Sequence, residues 1–248
     1  KLEDSLKKNP DTKVVAFVHA ETSTGVRSDA KEIAEIAKKY GCLIIADTVT
    51  SFTGIPVLTD EWGLDAVYSG SQKCLSCVPG LSPLTFSDRA IEKIQSRGTK
   101  IQSWFLDQTL VLDYWSGTGK RSYHHTAPIN SIFALHEALR LACDETLENL
   151  WKRHLDAHFR LKQGLDSMSF DFVVEKKYRL PQMNSIHIPD GYDDLEVRSK
   201  LLNDFNLEIG AGLGKFSGKI WRIGLMGYNA RNDSVDYCLD ALKHVLNK

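Results

Sequence analysis

Long hydrophobic runs are missing from this 248-residue sequence: the purely apolar stretches extend over only a few residues, such as L-I-I-A at 43–46. A bilayer-crossing helix needs roughly 20. Charge of one sign is missing as well, since 31 Lys and Arg against 32 Asp and Glu leave a net charge of −1. No polybasic face for nucleic acid or anionic lipid is therefore implied. The cysteines are an odd five without the spacing of a disulfide framework, so reduced thiols of an intracellular protein are expected. Cys74 and Cys77 have C-x-x-C spacing, but there is no second such pair and no nearby H-x3-5-H, so two small buried residues are expected rather than a metal or redox site. Repeats and low-complexity tracts are also absent. Methionine occurs only at 168, 183 and 226, and neither an initiator methionine nor a charged-then-apolar leader opens the chain at Lys1. The expectation is a piece of a longer polypeptide.

What is present is an ordinary globular composition, 42% hydrophobic and 25% charged, with strand and helix signals in alternation. Residues 12–19 and 42–46 contain continuous apolar and β-branched runs, the pattern of strands buried on both faces. Shorter strands are expected at 65–68 and 84–86. Between the first two, Ser28 and Asp29 offer an N-cap, Ile33, Ala34, Ile36 and Ala37 recur at helical spacing, and Gly41 ends the helix. This predicts an α/β domain with a mostly parallel sheet. Residues 128–162 read as helix with a break near Asp144 and Glu145. Beyond it come strands at 170–174, 184–188 and 220–225 and helices at 193–205 and 234–246. The predicted division is a large domain over 1–145 and a smaller α+β domain over 146–248.

Sheets of this kind place ligands at the carboxyl ends of their strands. Three such ends are polar here: E-T-S-T-G at 21–25, D-T-V at 47–49 and S-G-S-Q-K at 69–73. Asp47 closes an apolar strand, where a carboxylate is costly unless it meets a partner. Lys73 follows a strand and a run of small residues, and a lysine held in a crowded site loses the solvation of its charged form, which makes its neutral amine available as a nucleophile. Pyridoxal phosphate (PLP) needs both: a carboxylate to keep its ring nitrogen protonated, and a lysine to hold its aldehyde as a Schiff base.

The runs H-A-E-T-S-T-G at 19–25, A-D-T-V at 46–49, Y-S-G-S-Q-K at 68–73, Y-H-H-T at 123–126 and W-R-I-G at 221–224 carry a family resemblance. In order and spacing, nearly end to end, the chain resembles the alanine–glyoxylate (serine–pyruvate) aminotransferases, class V enzymes of PLP fold type I. That resemblance implies roles by position. Lys73 would bind the cofactor and move the substrate's Cα proton; Asp47 would pair with the ring nitrogen; Val49 would pack on the ring; Thr22 would lie near its hydroxyl; Gln72 would contact the phosphate. Tyr123 and Thr126 would reach the cofactor of a neighbouring subunit in a homodimer. Arg222 would grip the substrate carboxylate with its planar fork. The implied reaction is ping-pong transfer of an amino group from alanine or serine to glyoxylate or pyruvate, in a peroxisome, mitochondrion or cytosol, although V-L-N-K at 245–248 is not an S-K-L tail. The family's N-terminal part, with its phosphate loop and ring-stacking aromatic, is not found here, so the chain is expected to be the C-terminal two-thirds of a subunit.

Other readings are weaker. Residues 210–214 spell G-x-G-x-G late in the chain rather than G-x-G-x-x-G opening a βαβ unit, and are expected to form a substrate-side loop. His124 and His125, read as adjacent strand residues, would point to opposite faces and would not readily share one metal ion, so hydrogen-bonded structural histidines are expected. Cys74 and Cys77 stand too close to Lys73 for a cysteine desulfurase's mobile loop. Phosphoserine aminotransferase would want extra basic residues, and 3-hydroxykynurenine transaminase stays open. An inactive PLP-fold interaction module is the reading from another class, and retention of Lys73, Asp47 and Arg222 together argues against it.

Overall fold

The computed structural model describes residues 1–116 and 123–247. A short helix α1 (Leu2–Lys8) leads into β1 (Val14–Val18), a two-stranded hairpin of β2 (Ala20–Glu21) and β3 (Val26–Arg27), helix α2 (Ala30–Lys39) and β4 (Leu43–Asp47). Then come α3 (Thr59–Trp62), β5 (Ala66–Tyr68), β6 (Leu84–Phe86), α4 (Asp88–Gln95) and α5 (Gln108–Ser116). The sheet order is β1-β4-β5-β6; β1, β4 and β5 run parallel and β6 is antiparallel. The mostly parallel α/β sheet expected from the apolar runs is therefore present.

Its packing follows from small residues. Ala30, Ala34 and Ala37 line the buried face of α2, and Ile44, Ala46, Val15 and Val67 face it from the sheet. Alanine stubs let the helix lie close to the strands. The helix starts where expected: the Asp29 carboxylate accepts the Glu32 amide at 3.0 Å. Gly41 ends it with a φ of +71°, a left-handed backbone that suits glycine.

Asp65 fixes the base of this sheet. Its buried carboxylate accepts the Ile44 amide and the Ser87 hydroxyl, each at 2.8 Å, and pairs with the half-exposed Arg89 guanidinium. Arg89 also donates to the Cys42 carbonyl at 2.8 Å. Burial alone would raise this carboxyl, but the bonds from Arg89, Ser87 and the Ile44 amide hold it below its ordinary value.

The C-terminal part is built from α6 (Ile129–Glu145), α7 (Leu147–Ser167), β7 (Met183–His187), α8 (Asp194–Phe205), β8 (Gly210–Ala211), β9 (Ile220–Gly224) and α9 (Asn232–Leu246). The expected helix break falls at Thr146, with a φ of +70°. The strands form an antiparallel sheet in the order β7-β9-β8, covered by a core in which Leu161, Leu201, Trp221 and Leu242 are fully buried. Residues 170–174, expected as a strand, contribute only an isolated bridge, Phe172 to Ile186, before the chain turns away at Lys176–Tyr178. No helix among the described residues is long and apolar enough to cross a membrane.

The two sheets are joined through the hairpin. The Leu180 amide donates to the Gly25 carbonyl at 3.0 Å, and Ala20, Ile55, Leu180 and Met183 form a buried cluster with Met226 packed on it. Fully buried Gln182 donates to the Thr50 carbonyl at 2.8 Å.

Arg89→Ala is expected to lower stability at pH 7 by about 2 kcal/mol, because it strips a buried carboxylate of its charged partner while half of Arg89 was in water already. Asp65's depressed value in the folded state means this stabilisation is present above the unfolded value of about 3.9 and lost as pH falls through the folded one. Urea unfolding of both proteins should show the difference narrowing below about pH 4; a difference that persists unchanged would contradict the assignment.

Candidate functional site

Asp47 is the last residue of β4, and its backbone is paired on both sides, with Val18 of β1 and Tyr68 of β5. Its side chain is held at both oxygens: Oδ1 accepts the Val49 amide at 2.9 Å, and Oδ2 accepts the Tyr68 hydroxyl at 2.8 Å. Within the chain its partners are both neutral donors. The cause is the parallel register, which sets Tyr68 directly beside Asp47. The carboxylate pushes the Tyr68 hydroxyl up from its ordinary value, so at neutral pH that group stays a donor.

Lys73 sits on the loop that follows β5. The Ser71 hydroxyl donates to the Val78 carbonyl at 2.6 Å, the Cys77 amide to Ser71 at 3.0 Å and the Ser76 amide to the Lys73 carbonyl at 3.0 Å. These bonds fold the loop tightly around the lysine. Lys73 itself is half-buried, and its ammonium has no hydrogen bond or ion pair among the described residues. At Gly70 a Cβ would lie 2.7 Å from Gln72 Oε1 and 3.2 Å from Val49 Cγ1, so both side chains sit over its backbone. Val49 and Gln72 thus converge above a bare backbone, next to Asp47.

Arg222, in β9, is brought to the hairpin loop at 22–24. Its Nε donates to the Ala211 carbonyl at 2.7 Å and its Nη1 to the Thr22 carbonyl at 3.0 Å. No carboxylate pairs with it among the described residues. Gly210 lies flat against the guanidinium, where a Cβ would come within 3.2 Å of Nη2. Of the glycine-rich run at 210–214, Gly210 and Ala211 are thus the residues set against this arginine. Thr22 contributes its carbonyl to Arg222 and is half-buried.

Tyr123 and Thr126 are exposed and hydrogen-bonded to each other. Between them the expectation for the histidines is corrected. His124 and His125 lie in irregular chain, not in a strand, and their Nδ1 atoms are 2.8 Å apart. His124 stacks on Trp104 at 4.1 Å between ring centroids and reaches its carbonyl with Nε2, which turns its ring toward its neighbour. Among the described residues no group of three or more His, Cys, Asp or Glu is assembled for a metal ion. Of the C-x-x-C pair only Cys74 is buried; Cys77 is partly exposed, because the loop around Lys73 turns outward there. Burial pushes the Cys74 thiol up to about 12, which leaves it un-ionised.

Several residues around the site were not singled out by sequence. Tyr68 and Gln182 are two. A third is the turn at Gly227, whose amide donates to His154 Nε2 at 3.0 Å, while Arg153 donates to its carbonyl at 2.6 Å and the Tyr228 amide donates to Ser76 Oγ at 2.8 Å. That turn follows the Arg222 strand and clamps the loop that follows Lys73. His19, ending the first strand run, is buried edge-on to Trp62 at 5.4 Å and pushed down to about 4 by burial and Arg27, with Asp29 opposing.

Residues 1–236 match the family model described as Aminotransferase class-V. The chain belongs to that family. It is 40% identical to an alanine–glyoxylate aminotransferase of Rattus norvegicus over 93% of this chain and 56% of that protein. It is 35% identical to an (S)-ureidoglycine–glyoxylate transaminase of Bacillus subtilis over 94% of this chain and 60% of that one. The crystal structure of an alanine–glyoxylate aminotransferase from Nostoc sp. superposes with a TM-score of 0.94 at 48% identity, covering 99% of this chain and 64% of that one. The class V member described here thus shares the fold of that enzyme and spans less than two-thirds of the relatives it matches.

Gly25→Ala is expected to destabilise this class V chain by about 3 kcal/mol or more, since the backbone is left-handed there, at φ +77°, and the new Cβ would meet the Met183 carbonyl oxygen at 2.5 Å. Urea unfolding measures this; an unchanged midpoint would show that the hairpin does not dock as described.

Proposed function

We propose that this chain supplies the lysine, the ring-nitrogen acid and the carboxylate-binding arginine of a PLP-dependent aminotransferase that moves an amino group between alanine or serine and glyoxylate or pyruvate. The observation that carries the reading is that Asp47 is held at the carboxyl end of β4, while the loop after the neighbouring parallel strand β5 carries Lys73, whose ammonium has no hydrogen bond or ion pair among the described residues. The chemistry of the residues fits the cofactor: a carboxylate fixed at both oxygens at the end of β4 and a lysine with no partner among the described residues on the loop after β5.

PLP, when bound, supplies an electron sink that makes the substrate's Cα–H acidic. The chain's own residues do the rest. Asp47, fixed by Val49 and Tyr68, would hold a proton on the ring nitrogen. Val49 would pack on the ring, Thr22 would lie near its hydroxyl and Gln72 near its phosphate. Lys73 would hold the cofactor at its aldehyde carbon, and its amine, when free, would carry the substrate's Cα proton. Arg222, with Nε and Nη1 already held by two carbonyls, would present the remaining edge of its fork to the substrate carboxylate. The two halves of the turnover, donor in and acceptor in, use the same arginine, so donor and acceptor must both be α-carboxylates.

The reading extends to a homodimer in which Tyr123 and Thr126, exposed here, reach the neighbouring subunit's cofactor, and to a division between a large domain over 1–145 and a small one over 146–248. It is supported by the exposure of those two side chains and by the helix break at Thr146. The alanine–glyoxylate pair is preferred over a ureido donor because relatives at 40% and 48% identity are named for it.

Borohydride reduction of the PLP-treated protein, followed by peptide mapping, should place the pyridoxyl group on Lys73; a label on another lysine would refute the assignment. Lys73→Ala is expected to abolish turnover while leaving noncovalent PLP binding, and near-normal turnover would contradict it. Arg222→Lys should raise KM for both amino and oxo acid by about tenfold or more through loss of the bidentate fork, with a smaller change in kcat. An unchanged KM would remove Arg222 from the carboxylate role.

A further inference from the structure

We infer that Tyr68 is a positioning residue: its hydroxyl orients the Asp47 carboxylate toward the cofactor's ring nitrogen, and so sets how firmly that nitrogen keeps its proton. The inference rests on the PLP reading above and concerns a residue that the family resemblance assigns no role.

The argument starts from the strand end. A carboxylate with one oxygen on a backbone amide still rotates about its last bond unless the second oxygen is also held. Val49's amide belongs to the same turn as Asp47 and fixes Oδ1 only. The second oxygen is fixed from the neighbouring strand, by Tyr68 at 2.8 Å. That donor is well anchored. Tyr68 is paired in register with Asp47 on one side and with Leu84 on the other, and its carbonyl accepts both the Thr48 amide at 2.9 Å and the Thr48 hydroxyl at 2.8 Å. The backbone that carries the phenol is thus tied twice to the residue that follows the acid. Tyr68 is 38% exposed, so its ring is partly covered, and its hydroxyl is turned to the carboxylate.

A carboxylate oxygen has lone pairs for two donors, so the Tyr68 bond does not exclude a pyridinium. It restricts the approach instead: with Oδ1 and Oδ2 each holding one donor, the free lone pairs face a defined direction. Loss of the phenol leaves the acid in place but lets it turn and take up water. The ring nitrogen then meets a disordered acceptor, and its protonated form is favoured less.

The test uses the PLP-loaded protein and two readouts other than activity: the dissociation constant for PLP by equilibrium dialysis, and the nitrogen-15 resonance of the ring in protein loaded with labelled PLP. Tyr68→Phe, which keeps the ring and removes only the hydroxyl, is expected to raise the dissociation constant about fivefold, the size of one partly exposed bond to a charged group. It should also move the resonance toward that of an unprotonated pyridine. Because Tyr68 acts through Asp47, adding Tyr68→Phe to Asp47→Asn should change neither readout further. The inference is overturned if Tyr68→Phe leaves both readouts as in the parent, or if the same loss appears in the Asp47→Asn background, which would mark a packing effect. A parent protein that takes up no PLP would instead overturn the reading beneath it, so the two failures are told apart.

Discussion

Asp47 ends β4 with one oxygen on its own turn and the other on the next strand, and this fixed acid is the constraint on which the arrangement around it depends. Parallel strands bring their carboxyl ends to one edge, so the turns after β1, β4 and β5 must share that edge. β4 buries Ile44 and Ala46 and β1 buries Val15, while Val14 and Val18 of β1 stay exposed; the polar ends of both strands are set by one another. The His19 amide donates to the Asp47 carbonyl at 2.9 Å, the Thr48 amide to the Tyr68 carbonyl at 2.9 Å, and Ser69 Oγ to the Thr48 carbonyl at 3.2 Å. A ladder of this kind leaves little freedom to the acid, and it positions the loop that carries Lys73 five residues after β5.

The second sheet adds an arginine to the same edge, and it does so through backbone carbonyls rather than carboxylates. Arg222 is satisfied by Ala211 on its own sheet and by Thr22 on the hairpin of the other. An arginine already paired with an acid would compete with a substrate carboxylate; one held by neutral acceptors keeps its charge available. The turn that follows its strand is gripped at Gly227 by His154 and Arg153, and Ser76 accepts the next amide. Ser76 lies three residues beyond Lys73, so the lysine loop and the arginine strand are mechanically one assembly. Movement of the small sheet against the large one would carry both groups. His154 serves in this clamp only while neutral, because its Nε2 must accept, and burial holds its value down accordingly.

Much of this was legible in the sequence where one cause dominates. Continuous apolar runs marked β1 and β4, and Asp29 capped α2 as a side-chain acceptor normally does. Asp47 and Lys73 stood out because charged residues at and just beyond the ends of apolar strands demand a reason, and Arg222 through the family resemblance. Features that depend on which strands become neighbours were not legible. Tyr68 reads as one more aromatic in a short strand until the parallel register sets it beside Asp47. Gln182 reads as a polar residue near a strand until the hairpin brings Thr50 to it. The strand expected at 170–174 dwindled to one bridge because the chain leaves β7 for a tight turn, and the histidine pair was misplaced because stacking on Trp104, distant in sequence, overrides alternation. Local pattern names the elements; contacts between distant segments decide what the side chains at their ends do.

The account stands or falls on whether one ring can be shared by Lys73 and Asp47. A crystal structure of the PLP-loaded protein measures this directly. The expected result is continuous density from Lys73 Nζ to the cofactor, with the ring nitrogen at about 2.8 Å from an Asp47 oxygen, the length of a charge-assisted hydrogen bond. Cofactor joined to a different lysine, or a ring nitrogen turned away from Asp47, would contradict it.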